Sequence, residues 1–227
     1  MVKIIHIADI HIKNRLRHEE YLEVFKNLYN SIKNIKGEKI TVFLGDILDT
    51  PNIINPSAMH LFLNLIKELS LESEIIIIEG NHDKNKNDNT MSLLEAIIPH
   101  LNTNIYKITL LTKLNRIIKK WNIEFILTDM DEKPYEIEKE ENIIKIGLYH
   151  GTIYKSITNL NHEFLNEEYI KPSDFKNYNL VLLGDIHKTQ YLNKEKTMAY
   201  SGSLIQQNYS ESLTHGYLLW DLTTKES

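Results

Sequence analysis

The sequence of 227 residues contains no cysteine. This absence excludes disulfide bonds, thiolate metal ligands and cysteine nucleophiles, and it suits a protein of a reducing cytoplasm. No apolar run approaches the roughly 18 residues that a membrane-spanning helix needs, and the amino-terminal segment is typical of a core strand rather than a signal peptide. We therefore expect a cytoplasmic protein without a membrane partner.

The sequence also lacks an excess of positive charge, because 31 acidic and 26 basic side chains give a formal net charge of −5. This balance is not the signature of a nucleic-acid-binding protein, although it says little about local patches. Glycine and proline are sparse, with 8 and 5 residues, and hydrophobic residues make up 42% of the chain. Such a composition indicates one ordinary globular domain, long enough to bury a substantial core.

Strand-like and helix-like patterns alternate through the first half of the chain. An apolar run over residues 2–8 predicts a buried strand, and the spacing of apolar residues predicts a helix over about 18–35. A second helix begins near Pro56, and a third begins after a cap at Asn89 or Thr90. The second half consists mostly of short strands. These patterns predict an α/β fold in which two packed sheets are flanked by helices.

Five of the predicted strands end in side chains that bind metals. Because the binding crevice of an open α/β sheet lies at the carboxyl ends of its strands, we expect these side chains to converge. In chain order they are Asp9 and His11; Asp46 and Asp49; Asn81, His82 and Asp83; His150; and Asp185 and His187. Oxygen and imidazole donors without thiolates favour Mn²⁺, Mg²⁺, Fe²⁺ or Zn²⁺. Their number suits two ions that share a bridging carboxylate, the arrangement used for in-line displacement at phosphorus.

Each strand end, taken alone, has an ordinary structural explanation. An Asp-x-His tripeptide is most often a turn or a cap, Gly-Asp and Gly-Asn are common in turns, and a single histidine is more often structural than a ligand. The five ends gain significance from their shared position after strands. The remaining histidines lack that position, and we interpret them as core or surface residues: His6, His18, His60, His100, His162 and His215.

The order of these motifs resembles that of the calcineurin-like metallophosphoesterases. The motifs are "DIH", "GDILD", "GNHD", a single histidine and "GDIH". Within that family the chain is most similar to the nuclease subunit of the SbcCD exonuclease and its phage, archaeal and eukaryotic double-strand-break-repair counterparts. The stretches "GDILDTPNIINPSA" and "AYSGSLIQQNYSES" carry this narrower similarity. The resemblance covers essentially the whole chain and implies a four-layer α/β/β/α sandwich.

The resemblance also implies a role for each motif residue. One metal ion would be held by Asp9, His11, Asp46 and His187. The second ion would share Asp46 and be completed by Asn81, His150 and Asp185, and Mn²⁺ would be the preferred metal. Water activated between the two ions would attack the phosphorus. His82 would protonate the leaving oxygen or stabilise the transition state, and Asp49 would orient His82.

Residue 185 departs from the family pattern, which has Gly-His-x-His where this chain has Gly-Asp-Ile-His. Asp185 thus stands at the position of a neutral histidine. A further carboxylate would lower the net charge of the centre and shift its preference toward Mn²⁺ or Mg²⁺. The alternative is a degenerate site that no longer turns over.

Basic side chains follow the motifs and are candidates for contacts with the phosphate groups of a substrate. They are Lys13, Arg15, Arg17, Lys84, Lys86, Lys155 and Lys188. The alternative is that they are solvated surface residues.

The nucleases that the chain resembles continue into a DNA-binding capping segment and a segment that docks on an ATPase. We expect residues 1–227 to form the catalytic domain alone, without these segments. The first predicted function is a Mn²⁺-dependent exonuclease and endonuclease acting on DNA in repair, recombination or phage DNA processing. The alternatives are a small-substrate phosphodiesterase or phosphatase and a weakly active scaffold protein. The resemblance alone implies a coiled-coil ATPase partner of the SbcC kind and a homodimer.

Overall fold

The structure is a computed structural model that describes residues 2–51, 53–84, 91–101 and 107–222. The first half alternates strands and helices: β1 Val2–Ile7, α1 His18–Asn34, β2 Glu38–Leu44, α2 Pro56–Ser70, β3 Glu74–Ile78, α3 Leu93–Leu101 and β4 Ile108–Leu110. The second half is mostly strands: β5 Ile117–Lys120, β6 Ile123–Thr128, β7 Ile144–His150, β8 Leu180–Gly184, β9 Gln190–Tyr191, β10 Met198–Tyr200 and β11 Leu218–Asp221.

The strands form two mixed sheets. The first sheet has five strands in the order β11-β1-β2-β3-β4, and only β11 runs antiparallel to its neighbour. The second sheet has six strands in the order β5-β6-β7-β8-β10-β9. Its four central strands are parallel, and β5 and β9 pair antiparallel at the two edges. The parallel strands deliver their carboxyl ends to the same side of each sheet.

Strand β3 shows why the central strands are continuous apolar runs. Ile75 and Ile77 belong to the cluster that packs against the three helices, whereas Ile76 and Ile78 belong to the cluster between the two sheets. Successive side chains of a strand point to opposite faces, so a strand that is covered on both faces needs apolar side chains at successive positions.

Both long helices follow the predicted pattern. Helix α1 buries Tyr21, Phe25, Leu28 and Ile32 at helical spacing. Helix α2 begins at Pro56 and is capped by Asn55, whose side chain accepts a hydrogen bond from the amide of Ala58. The predicted bounds of α1 and the predicted start of α2 are thus confirmed.

The third helix begins at Leu93, and Ser92 and Glu95 form a reciprocal cap before it. The Ser92 amide donates to Glu95 Oε2 at 3.0 Å, and the Glu95 amide donates to Ser92 Oγ at 3.0 Å. The caps expected at Asn89 or Thr90 lie outside the described residues. A serine followed three residues later by a glutamate is the usual form of such a box.

The predicted fold class, an α/β sandwich of two mixed sheets flanked by helices, is confirmed. The three α-helices of the described residues pack on the first sheet. The outer face of the second sheet is covered by Ile153, Ile170 and Phe175, the last of which lies in a short 3-10 helix, Pro172–Phe175. Within the described residues, none of the helices is long and apolar enough to cross a bilayer.

Candidate metal centre

The carboxyl ends of β1, β2, β3, β7 and β8 meet at one place, where acidic and imidazole side chains crowd together. Three groups have ligand atoms within 4.8 Å of one another: Asp9, His11 and His187; Asp9, Asp46 and His150; and His11, Asp49 and His82. The groups overlap, so they form one continuous centre. The convergence expected from the strand ends is therefore what the structure shows.

In the first group, two imidazole rings lie close to each other and to carboxylates. His11 Nε2 lies 3.2 Å from His187 Nε2 and 3.6 Å from Asp46 Oδ2. Asp9 is fully buried beside the two histidines. Ring nitrogens and carboxylate oxygens at such distances are the donor set of a divalent cation.

The second group lies on the other side of Asp46. His150 Nε2 lies 3.4 Å from Asp46 Oδ1 and 3.2 Å from Asn81 Oδ1. One carboxylate oxygen of Asp46 thus faces His11 and the other faces His150. This position between two sets of donors is the one that a bridging carboxylate needs.

Two of the histidines are oriented by hydrogen bonds from the ring nitrogen that points away from the centre. His150 Nδ1 donates to the carbonyl oxygen of Leu44 at 2.6 Å, and His187 Nδ1 donates to Glu211 Oε1 at 2.8 Å. Such bonds turn Nε2 of each ring toward the centre, as in the second coordination shell of many metal sites.

The charges of the centre are buried and strongly coupled. Burial raises the pKa of Asp9 to about 7. Burial would also raise the pKa of Asp46, but the imidazoles of His150 and His11 outweigh it and hold that pKa well below its usual range. For His150, Asp46 outweighs burial and raises the pKa to about 10. Buried carboxylates packed this closely suit divalent metal ions, whose positive charge would neutralise the carboxylates directly.

Four residues of the centre adopt left-handed backbone conformations that L-residues rarely populate. The φ angles are 53° at Asp9, 49° at His11, 52° at Asp46 and 102° at Asp185. The amides of Asp9 and His11 donate to the carbonyl oxygens of Gly45 and Asp46 at 3.2 and 2.9 Å. These bonds hold the two strand ends together and maintain the strained turns, as is common at functional sites.

Asp185 is not part of any of the three groups among the described residues. Its carboxylate oxygen Oδ2 accepts a hydrogen bond from Thr152 Oγ1 at 2.8 Å. Its amide donates to both carboxylate oxygens of Asp9, at 3.1 and 3.2 Å. The carboxylate lines the same cavity as Asn81 and His150, the other residues expected at the second metal position, and its role as a ligand stays a prediction.

His82 is held at the edge of the centre by a contact with Asp49, the partner expected from the sequence. Its Nδ1 donates to the backbone carbonyl oxygen of Asp49 at 2.9 Å. The carboxylate of Asp49 instead lies 3.8 Å from His11 Nδ1. Asp49 thus contacts His82 through its main-chain carbonyl, and its carboxylate lies in the same group as the rings of His82 and His11.

Two carboxylates organise the centre in ways that the sequence did not predict: Asp83 was only one of the strand-end candidates, and Glu211 was not among them. Asp83 is fully buried and accepts hydrogen bonds from the amides of Ile47, Leu48 and Gly80, at 3.3, 2.9 and 3.0 Å. Its place in the "GNHD" motif was the available signal. Glu211 lies 24 residues from its partner His187 in a polar loop, and no pattern in that loop marks it.

The predicted substrate-binding cations are distributed unevenly around the centre. Lys13 Nζ lies 3.9 Å from Asp49 Oδ1, Lys188 Nζ donates to Asn161 Oδ1 at 2.9 Å, and Arg15 is exposed. The guanidinium group of Arg17 donates to Glu20 at 2.7 and 2.9 Å and to the carbonyl oxygen of Gln206. The guanidinium group of Arg17 is therefore engaged in hydrogen bonds at the start of α1.

The other predicted cations lie next to local partners. Lys84 lines a small cavity together with Glu79, and Lys155 Nζ lies 5.4 Å from the centroid of the Tyr154 ring. Lys86 lies outside the described residues.

Comparison with known proteins agrees with this geometry. The family model described as calcineurin-like phosphoesterase matches residues 2–189. "Uncharacterized protein R555" of Acanthamoeba polyphaga mimivirus is 38% identical over 241 aligned positions, which cover 99% of this chain and 18% of that protein. "Putative phosphoesterase 244L" of Invertebrate iridescent virus 6 is 26% identical over 232 positions, which cover 96% of this chain and 75% of that protein.

The chain thus spans less than a fifth of the length of the mimivirus protein. The family match includes every strand that contributes to the centre, from β1 to β8. The chain belongs to the calcineurin-like phosphoesterase family, whose members are metal-dependent phosphoester hydrolases.

Proposed function

We propose that the chain hydrolyses phosphodiester bonds in DNA, with Mn²⁺ as the preferred metal. The observation that carries this proposal is a pair of cavities that flank the centre and share Asp185. The Tyr169 cavity, of about 450 Å³, is lined by Asn81, Asp131, Glu132, Lys133, Tyr149, His150, Thr152, Glu168, Tyr169, Asp185 and their neighbours. The Asn208 cavity, of about 400 Å³, is lined by Thr158, Asn159, Leu160, His162, Asp185, Ile186, His187, Asn208, Ser210 and Glu211.

Two cavities favour a diester over a monoester as the substrate. The phosphorus of a diester carries two organic substituents, and each cavity falls within the size range of small-molecule sites. A monoester would fill only one of them. A phosphate at the centre would place one nucleoside against Tyr169 and the other against Asn208, because Asp185 stands where the two cavities meet.

The donor atoms of the centre fit two divalent ions. Asp9, His11, Asp46 and His187 would hold one ion, and Asp46, Asn81 and His150 would hold the other. When bound, such ions neutralise the phosphoryl oxygens and acidify water. The chain contributes the positions of these donors, which Leu44 and Glu211 fix from behind the histidine rings.

His82 is the proposed proton donor to the leaving sugar oxygen. The backbone amide of His82 donates to Asp46 Oδ1 at 2.8 Å, and its Nδ1 donates to the carbonyl oxygen of Asp49 at 2.9 Å. These bonds fix the ring and leave Nε2 as the nitrogen that exchanges protons with a substrate. A positioned imidazole of this kind contributes about 10²–10⁴-fold to a rate.

Lys13, Arg15 and Lys188 are the proposed contacts to the phosphates of the strand. All three follow the candidate metal-binding motifs in the sequence. Lys13 lies next to Asp49, and Lys188 is hydrogen-bonded to Asn161. Contacts of this type position a backbone without reading its sequence. A coiled-coil ATPase partner and a homodimer stay predictions from the family resemblance.

A small-substrate phosphodiesterase is the second candidate. The acidic residues Asp131 and Glu168 at the Tyr169 cavity favour it, since they oppose the binding of a long polyanion. Both candidates use the same centre, and they differ in whether a polymer is cleaved.

The test uses purified protein with Mn²⁺, Mg²⁺ or EDTA on end-labelled linear DNA, single-stranded circular DNA and bis-(p-nitrophenyl) phosphate. We expect cleavage of linear DNA with Mn²⁺, and none with EDTA. The His82→Asn variant retains a donor for the Asp49 carbonyl but lacks Nε2, so DNA cleavage should fall about 10²–10⁴-fold while Mn²⁺ affinity is unchanged. Hydrolysis of the small diester alone would replace the nuclease with the second candidate.

A further inference from the structure

We propose that the Tyr169 cavity binds the terminal nucleoside of a strand, and that it accepts an end with a free hydroxyl group and rejects an end with a phosphate group. This inference rests on the proposed function, because it assigns one of the two nucleosides of the scissile diester to a particular cavity. It predicts cleavage at strand ends and gives a reason for the departure at residue 185.

The cavity opens directly onto the centre. Asn81 and His150, which are proposed to hold one ion, form part of its wall. Aromatic rings form other parts, and Tyr169 is itself braced by an edge contact with Phe164 at 5.7 Å between ring centroids. Rings of this kind provide flat apolar area for packing against a nucleobase.

Asp185 supplies a fixed hydrogen-bond acceptor at the inner end of the cavity. Thr152 Oγ1 donates to its Oδ2 at 2.8 Å, and its own amide is tied to the Asp9 carboxylate. The Thr152 hydroxyl also lines the cavity. An ionised carboxylate only accepts hydrogen bonds, so its natural partner here is a hydroxyl group of a sugar. The histidine of the family pattern would not provide an anionic acceptor at this place.

The charges around the cavity oppose a terminal phosphate. Four carboxylates and one ammonium group line the cavity, from Asp131, Glu132, Glu168, Asp185 and Lys133. Glu132 is neutralised by Arg116, whose guanidinium donates to Glu132 Oε1 at 3.0 Å. The remaining three carboxylates exceed the single lysine. A phosphate monoester in this cavity would meet like charges, which is how a site rejects a wrong ligand.

The Asn208 cavity suits the continuing strand. Its carboxylates are Asp185 and Glu211, and Glu211 is already paired with His187. Neutral polar side chains provide much of the rest of its lining. Lys188 is not part of the lining and donates a hydrogen bond to Asn161. The next phosphate of the strand would therefore meet neutral donors and one lysine on this side.

The experiment compares three substrates with saturating Mn²⁺: thymidylyl thymidine, and the same dinucleotide with a phosphate added at its 5′ end or at its 3′ end. We expect hydrolysis of the unmodified dinucleotide and of one phosphorylated form. The other form, whose added phosphate would enter the Tyr169 cavity, should have a kcat/KM at least about 10-fold lower. The form that is rejected would also reveal the direction of the strand.

A double variant, Asp131→Asn with Glu168→Gln, tests the cause of that rejection. It should reduce the ratio of kcat/KM between the accepted and the rejected form to below about 3-fold. The matched control is Glu38→Gln with Glu195→Gln, which removes the same charge at the first residue of β2 and in the turn before β10, away from the centre. The control should keep the wild-type ratio. Thr152→Val, which releases Asp185, should raise KM for the unmodified dinucleotide more than it lowers kcat.

Two results would overturn the inference, and they are distinguishable. If all three dinucleotides react equally well, the end-binding role of the cavity is wrong while the diesterase function stands. If bis-(p-nitrophenyl) phosphate reacts and no dinucleotide does, the proposed function fails and the subsite fails with it. Loss of discrimination in the control variant would also contradict the role of the cavity, because overall charge would then be the cause.

Discussion

The histidines of the centre show how neighbours give one residue type different roles. Burial lowers the pKa of His11 to about 3, so its ring is neutral and available as a ligand. Burial acts in the same direction on His187, but the hydrogen bond to Glu211 and the negative charges of Asp9, Glu211 and Asp46 together outweigh it and raise the pKa of His187. His82 is bound only at Nδ1 by a main-chain carbonyl. The proposed ligand and proton-donor roles thus depend on contacts that the residue type does not specify.

Glu211 is not itself a proposed ligand, but it contacts His187, so its replacement should weaken metal binding. Its oxygens accept hydrogen bonds from His187, Asn208, Ser203 and the amide of Gln207. The Glu211→Gln variant would replace an acceptor by an amide donor and misorient His187. We expect Mn²⁺ affinity to fall about 10–100-fold, measured by isothermal titration calorimetry.

Glu195→Gln is a suitable control for that measurement, because Glu195 is an exposed residue in the turn between β9 and β10. It should bind Mn²⁺ like the wild type. Wild-type affinity in the Glu211 variant would show that His187 does not need this partner.

At the scale of elements, the strand ends approach each other so closely that side chains are excluded at some positions. Gly45 has a φ of 84°, and a Cβ added there would lie 2.7 Å from the Cα atom of Gly80. Glycine is the residue that tolerates both the left-handed backbone and the contact. The loops after β2 and β3 thus share one small volume, and Asp83 ties them together.

The Asp83→Ala variant should therefore lower stability strongly. It would leave three buried amides, of Ile47, Leu48 and Gly80, without their acceptor. We expect the free energy of unfolding to fall by about 3–5 kcal/mol, measured by urea denaturation with EDTA present. Glu38→Ala removes an exposed carboxylate and should change it by less than about 0.5 kcal/mol. Equal effects of the two substitutions would contradict the role of Asp83 as a clamp.

At the scale of the whole molecule, His6 links the two sheets. Its Nε2 donates to the carbonyl oxygen of Leu183 in β8 at 3.0 Å, and its Nδ1 accepts from Trp220 Nε1 in β11 at 3.4 Å. Both bonds need the neutral ring with its hydrogen on Nε2. Burial lowers the pKa of His6 to about 3, although the bond to Leu183 opposes the shift.

This buried histidine makes stability depend on pH in a defined direction. The folded pKa of about 3 lies below the unfolded value of 6.5, so the unfolded state binds a proton more readily. The contribution of neutral His6 is complete above pH 6.5 and is lost as the pH falls from 6.5 toward 3. The slope approaches about 1.4 kcal/mol per pH unit for one proton.

The His6→Gln variant keeps a donor for Leu183 and does not titrate in this range. Urea denaturation of both proteins between pH 7.5 and 4.5, with EDTA, should show that the free energy of unfolding depends less on pH in the variant. The difference between the two slopes should correspond to the uptake of about one proton on unfolding. Parallel profiles would show that other groups cause the acid sensitivity.

Local periodicity was enough to predict the helices and the central strands. The apolar residues of α1 recur at helical spacing, and β3 is a run of isoleucines, so each element follows from side chains close in sequence. The outer cover of the second sheet was not predictable in the same way. That cover consists of turns and a short 3-10 helix, which depend on packing against Tyr149 and Val181.

The sequence by itself determined which donor atoms stand at the strand ends and the family to which the chain belongs. Asp9, His11, Asp46 and His150 converge because parallel strands deliver their carboxyl ends to one edge. Only the tertiary structure decided that Asp185 contacts Thr152, that Glu211 holds His187 and that two cavities beside the centre share Asp185. Those contacts join separate segments of the chain and arise from how the two sheets and their loops pack. A local sequence pattern therefore cannot predict them.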